Sequence, residues 1–139
     1  MINKVLFSSE NIVWETPKDL FRELDKEFNF TLDPCCNETN KKCSKYYTEE
    51  DNGLIQDWSN DIVFMNPPYG KTISLWISKA YQESLKGTKV VALLPARTDT
   101  KWFHNYILDK AEIRFIKGRL KFGNSVNSAP FPSMVVIWN

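Results

Sequence analysis

The chain has 139 residues, of which 42% are apolar and 25% charged, and its formal net charge is +1. That length suits one domain with a real core, and the composition is ordinary for a globular protein. The balanced charge counts against a protein that coats nucleic acid by bulk electrostatics, though not against an enzyme with one local basic face. The longest apolar runs are of strand length, far below the ~20 residues of a membrane-spanning helix.

The opening residues, Met1-Ile2-Asn3-Lys4-Val5-Leu6-Phe7, lack the apolar core and small-residue cleavage site of a leader. A cytoplasmic setting with no membrane association is therefore expected. Thr16-Pro17-Lys18-Asp19 predicts a helix start, with Thr16 able to cap, Pro17 at the first helical position and Asp19 in the first turn. Leu20, Phe21, Leu24 and Phe28 then recur at helical spacing, and Phe28-Asn29-Phe30-Thr31-Leu32 alternates into a short strand stopped by Asp33-Pro34.

The stretch from Cys35 to Glu50 is polar and shows no period. Cys35, Cys36 and Cys43 are expected to be reduced thiols packed beside a loop. Zinc needs four ligands at recognised spacings, and the single histidine, His104, is remote. No metal site is expected.

Ile62-Val63-Phe64-Met65 has the continuous apolar character of a central strand, ended by two prolines that cannot donate to a ladder. Ile73, Trp76, Ile77, Ala80, Tyr81 and Leu85 form a helical stripe closed by Gly87. Val90 to Leu94 is a second buried strand, stopped by Pro95. Trp102, Phe103, Tyr106 and Ile107 suggest a helix, and Ile113–Ile116 and Met134–Trp138 are the final strands. Buried strands alternating with helices predict an α/β sheet with mostly parallel strands. Ligands bind such sheets beyond the strand carboxyl ends, where Asp33-Pro34, Asn66-Pro67-Pro68-Tyr69 and Pro95-Ala96-Arg97 all fall.

Asn66-Pro67-Pro68-Tyr69 carries the chemistry. An exocyclic amine on a base is a poor nucleophile because its lone pair is delocalised into the ring. An enzyme that methylates it must offer acceptors to the amine hydrogens, so that the nitrogen can pyramidalise. The Asn66 side-chain oxygen can accept one hydrogen, and the Pro67 carbonyl, stiffened by Pro68, another. Both favour the transition state as positive charge develops on nitrogen. Tyr69 supplies an aromatic face for a base extruded from a duplex.

Around this loop, Trp14-Glu15-Thr16-Pro17, Leu32-Asp33, Gly53-Leu54, Asp57-Trp58, Trp76, Leu94-Pro95, Thr98-Asp99-Thr100, Trp102-Phe103, Gly118-Arg119-Leu120 with Phe122, and Ser133 stand in order along nearly the whole chain. With Phe64 to Gly70 they resemble the phage-type DNA N6-adenine methyltransferases. The resemblance implies a compact Rossmann-like class I S-adenosylmethionine-dependent fold, its sheet mostly parallel with an antiparallel C-terminal strand. It also implies a single catalytic domain over residues 1–139, without a target-recognition domain, in a bacterial host or prophage setting. DNA is the implied partner and S-adenosylmethionine the implied cofactor. Thr16, Pro17 and Asp33 correspond to residues that hold the methionine part. Asp57 and Trp58 correspond to residues that receive the cofactor adenine, and Asn66 borders both sites. The ribose is left to Glu49, Glu50 or Asp51.

Two departures stand out. Asp33-Pro34-Cys35-Cys36 replaces the usual glycine-rich turn, and no segment is available for target recognition beyond the loops around the site. Arg119 can hold a phosphate beside the flipped base or be a solvated arginine at a turn. The Ser-, Asn- and Pro-rich stretch from Asn124 to Ser133 reads as mobile or substrate-ordered. The same acceptor logic serves cytosine N4, RNA or a protein glutamine amide. A non-catalytic cofactor- or nucleic-acid-binding module is the alternative from another class.

Overall fold

The helix anticipated after Pro17 is α1, Lys18–Phe28, in a computed structural model that describes residues 11–139. The Met1–Phe7 stretch lies outside the described residues. Pro17 precedes the helix in an extended conformation, and no side chain caps it. Thr16 therefore does not cap, because its hydroxyl is turned to Asn66 instead. Asn29, in the left-handed conformation (φ 57°), ends the helix, and its amide donates to the Asp25 carbonyl. The Asp25 carboxylate takes the next amide, that of Phe30, at 2.9 Å. This stop draws Phe28 into α1, so the strand expected over Phe28–Leu32 shortens and shifts to β2, Leu32–Asp33. Phe21, Phe30 and Phe64 seat the helix on the sheet, with ring centroids 5.1–5.6 Å apart.

The main sheet adds β3 (Lys45–Tyr46), β4 (Ile62–Met65), β6 (Lys89–Pro95), β7 (Glu112–Phe115) and β8 (Ser133–Trp138) to β2. Their order is β3-β2-β4-β6-β8-β7. β3, β2, β4 and β6 are parallel, and β8 is antiparallel to both of its neighbours. A mostly parallel sheet with one antiparallel C-terminal strand is the arrangement expected from the sequence. Val63, Met65 and Val90 to Leu94 are fully buried, as strands covered on both faces must be. One cover is α2, Ile73–Leu85, which buries Trp76, Ile77 and Ala80. It closes at Gly87, whose φ of +96° suits glycine. Another helix, α3 (Lys101–Tyr106), is capped by the Thr100 hydroxyl, which accepts from the Phe103 amide at 3.2 Å.

Two consequences position the site. The carboxyl ends of β2, β3, β4 and β6 share one edge, and β7, which runs the same way, brings the connection 116–132 to that edge as well. A separate ribbon pairs β1 (Asn11–Ile12) antiparallel with β5 (Tyr69–Gly70), Ile12 opposite Tyr69. The N-terminal segment is thereby laid across the loop that follows β4. Among the described residues no helix is long and apolar enough to cross a membrane.

Candidate active site

Asn66 follows directly on β4, and Pro67, Pro68 and Tyr69 after it are buried. The Asn66 side-chain amide is oriented by its own donors. Nδ2 donates to the Trp14 carbonyl and, at 2.9 Å, to Thr16 Oγ1. With both amide hydrogens engaged, Oδ1 is left pointing the other way, buried and without a partner among the described residues. A buried acceptor left unsatisfied costs about 1–3 kcal/mol, which makes it a place where a ligand donor fits. Asn66 borders a cleft whose other walls include Trp14, Thr16, Asp33, Cys35 and Lys42.

Asp33 is only 4% exposed. Its two carboxylate oxygens accept from the Lys42 amide at 3.0 Å and the Cys35 amide at 3.4 Å. Burial outweighs these bonds and pushes its carboxyl up to about 6. The thiols expected beside the loop are there. Cys36 Sγ donates towards the carbonyls of Asp33 and Tyr47 at 3.7 and 3.8 Å, and burial pushes Cys43 up to about 12. Cys35 is raised as well, first by burial and then by the nearby Asp33 charge, although the backbone N–H of Asn66 donates to its sulfur. All three are free thiols. Among the described residues no cluster of His, Cys, Asp or Glu is arranged to hold a metal.

The structure sorts the three ribose candidates. The Tyr47 amide pairs with the Asp33 carbonyl at 2.9 Å, so the chain beyond β3 runs beside the Asp33 loop. Asp51 spends its carboxylate on the Thr48 amide and hydroxyl at 2.8 and 3.1 Å. Glu50 is exposed. Glu49 keeps Oε1 buried and unpartnered among the described residues, and burial raises its carboxyl above the ordinary range.

Asp57 and Trp58 are not brought to the cleft. They precede β4 and so lie at its amino edge. Asp57 is exposed there, held by Ser59 and Lys86. Trp58 is completely buried. Its indole donates to the Gly53 carbonyl at 3.0 Å, and its amide to Glu83 Oε1 at 3.2 Å. Glu83, buried among helix residues, pairs with Lys79 and Lys86 at 2.9 Å each. These contacts make Trp58 a core residue. Tyr69 also departs from expectation, for it offers no open face. Its hydroxyl donates to the Leu93 carbonyl at 3.0 Å, and Phe122 and Phe131 meet its ring edge-on, with centroids at 6.4 and 5.6 Å. Arg119 is exposed on the 116–132 connection, at the same sheet edge but outside the cleft wall.

A mostly parallel Rossmann-like sheet with a cleft at its strand carboxyl edge, bordered by an unpartnered amide oxygen, is an architecture compatible with a methyltransferase. The family model for DNA N-6-adenine-methyltransferase (Dam) matches residues 5–139, and the chain belongs to that family. It is 32% identical over 138 residues to a DNA N-6-adenine-methyltransferase of Haemophilus phage HP1, covering 94% of this chain and 80% of the relative. It is 33% identical over 110 residues to a DNA N-6-adenine-methyltransferase of Escherichia phage T1, covering 78% of this chain and 46% of that longer relative.

Proposed function

We infer that this chain transfers a methyl group from S-adenosylmethionine to the N6 amine of a flipped-out adenine in DNA, in the cytoplasm of a bacterial host. The observation that carries the mechanism is the unpartnered Asn66 Oδ1. It accepts one amine hydrogen, and the Pro67 carbonyl the other, so the nitrogen lone pair leaves conjugation and becomes nucleophilic. A neutral acceptor suits the role, because it stabilises growing positive charge; the surplus amine proton passes to solvent once the methyl group has moved from sulfur to nitrogen.

The donor's sulfonium supplies an electrophilic methyl group when bound. The residues present fit it. Asp33 is a buried carboxylate short of a counter-charge, suited to the ammonium of the methionine part. Thr16 lines the same cleft, whereas Pro17, next in the chain, faces a separate groove with Lys121 and Gly123. Glu49 has a free acceptor for ribose hydroxyls, the role that an acidic residue beyond a strand fills in dinucleotide sites. Pro68 and Tyr69 hold the loop stiff. A base that stacks on Tyr69 must first displace Phe122 or Phe131, so aromatic contact within the protein is exchanged for contact with the base. Arg119 is assigned to a DNA phosphate.

Asn66→Ala is the test. Calorimetric binding of the donor is expected to persist while turnover on DNA falls by roughly three orders of magnitude, as when an oxyanion-hole donor is removed. Mass analysis of nucleosides from a host expressing the wild-type chain should show N6-methyladenine. N4-methylcytosine or methylated RNA in its place would overturn the adenine assignment.

A further inference from the structure

We propose that Asn124 is a positioning residue that holds Asn66 in its reactive orientation. This rests on the reading of Asn66 as the amine acceptor. The Asn124 side chain acts as a short substitute for a strand beside residues 13–15. Its Nδ2 donates to the Val13 carbonyl at 2.9 Å, and its Oδ1 accepts from the Glu15 amide at 3.0 Å. The adjacent Gly123 amide donates to the Glu15 carbonyl at 2.8 Å. Three bonds thus fix the peptides on either side of Trp14, and the Trp14 ring is wedged against Phe122 and Phe131, with centroids at 5.2 and 5.4 Å.

The group held between those fixed points is the Trp14 carbonyl, which accepts from Asn66 Nδ2. An asparagine amide has two faces of opposite polarity. If the Trp14 carbonyl drifts, one Nδ2 hydrogen is released and the amide is free to turn, presenting donors to an amine that itself needs acceptors. Keeping residues 13–15 in place therefore keeps Oδ1 facing the cleft. The asparagine amide supplies separate donor and acceptor atoms from one side chain, as these two bonds require. Aspartate keeps the bond from the Glu15 amide but loses the donor to Val13, and alanine loses both. The connection that carries Asn124 also carries Lys117, Arg119 and Lys121, all exposed, so the tie runs from an exposed basic loop to the acceptor.

The test compares Asn124→Ala, Asn124→Asp and, as a control on the same loop, Asn127→Ala with the wild type. It measures kcat and KM on an adenine-containing duplex and donor binding by calorimetry. For Asn124→Ala, kcat is expected to fall about ten- to a hundredfold, the scale of an ångström-level misplacement. KM and donor affinity should stay within about twofold, since no ground-state contact is removed. Asn124→Asp should lie between, and Asn127→Ala should match the wild type. The Asn66 side-chain NH2 resonances should shift in the two Asn124 variants alone. An unchanged kcat in Asn124→Ala, or a loss that appears equally in KM or donor affinity, overturns the proposal. Asn66→Ala, assayed in parallel, separates the two failures. If it is inactive while Asn124→Ala is fully active, only the positioning role falls. If it is itself active, the acceptor reading falls.

Discussion

Asn66 Nδ2 donates to Thr16 Oγ1 over 2.9 Å, joining the loop after β4 to a residue 50 positions earlier in the chain. The hydroxyl expected to cap a helix thus serves to orient the Asn66 amide, and Thr16 is only 4% exposed. One side chain shapes the cleft wall and aims the acceptor.

Thr16→Val, which keeps the shape and removes the acceptor, should therefore lower kcat about tenfold or more, by the same logic of amide misorientation. Thr16→Ser should retain most of the activity. Equal rates for Thr16→Val and wild type in single-turnover assays would show that the Trp14 carbonyl suffices by itself.

The Asp33 carboxyl carries a pH signature. Its value rises from 3.8 to about 6 on folding because burial disfavours the charge. A carboxyl raised in this way binds a proton more tightly folded than unfolded. Its contribution to stability is therefore complete below about pH 4 and declines as pH rises to about 6. Donor binding runs the other way, since an ammonium needs the carboxylate. Affinity should drop by about tenfold per pH unit below 6. Asp33→Asn should flatten that profile without lowering the thermal midpoint above pH 6. A variant that binds donor with the wild-type pH profile would separate Asp33 from the ammonium.

Asp57 and Trp58 call for opposite expectations. Asp57 is exposed, held well down, to about 2, by the Ser59 hydroxyl and amide and then by Lys86. Asp57→Ala should leave donor affinity within about twofold, as a surface change remote from the cleft does. Trp58→Ala removes a fully buried ring and should cost about 3–5 kcal/mol in denaturant unfolding. Trp58→Phe discriminates further, because a core role lowers the unfolding midpoint and leaves donor affinity intact. A loss of donor affinity at unchanged stability would return Trp58 to the cofactor site.

What was legible in the sequence followed from burial. β4, β6, β8 and α2 are covered by other elements, so their apolar runs and stripe announce them. β1, β2, β3 and β5 have two residues each, too few for any period, and Lys45 in β3 is exposed, placed by pairing with Leu32. Thr16, Asp33 and Asn66, singled out in the sequence, line one cleft. Their wiring was not legible, because a hydrogen bond across 50 residues leaves no local trace. The position of Asp57 follows from chain order, because a residue just before a parallel strand lies at that strand's amino edge. Asn124 sits in a stretch of polar residues where only the fold distinguishes one amide from its neighbours.

Gly53 ties stability to the cleft through the backbone. A Cβ placed there would sit 2.0 Å from the Pro34 carbonyl oxygen, 3.0 Å from its carbon and 3.2 Å from Trp76 Cη2. Two of those neighbours are main chain, so they cannot swing aside as a flexible side chain would. Pro34 follows Asp33 directly, and the peptide that must move leads into the Cys35 amide on which the Asp33 carboxylate leans. Gly53→Ala is therefore expected to cost about 1–3 kcal/mol of stability, the range of overpacking in a tight interior. It should weaken donor binding while leaving the Asn66 amide in place. Calorimetry should register the fall in affinity, and kcat at saturating donor should change by less than about threefold, since the acceptor is untouched. A Gly53→Ala variant with wild-type melting and donor affinity would mean that the Pro34 turn yields freely, and would detach the conformation of this loop from the grip on the donor.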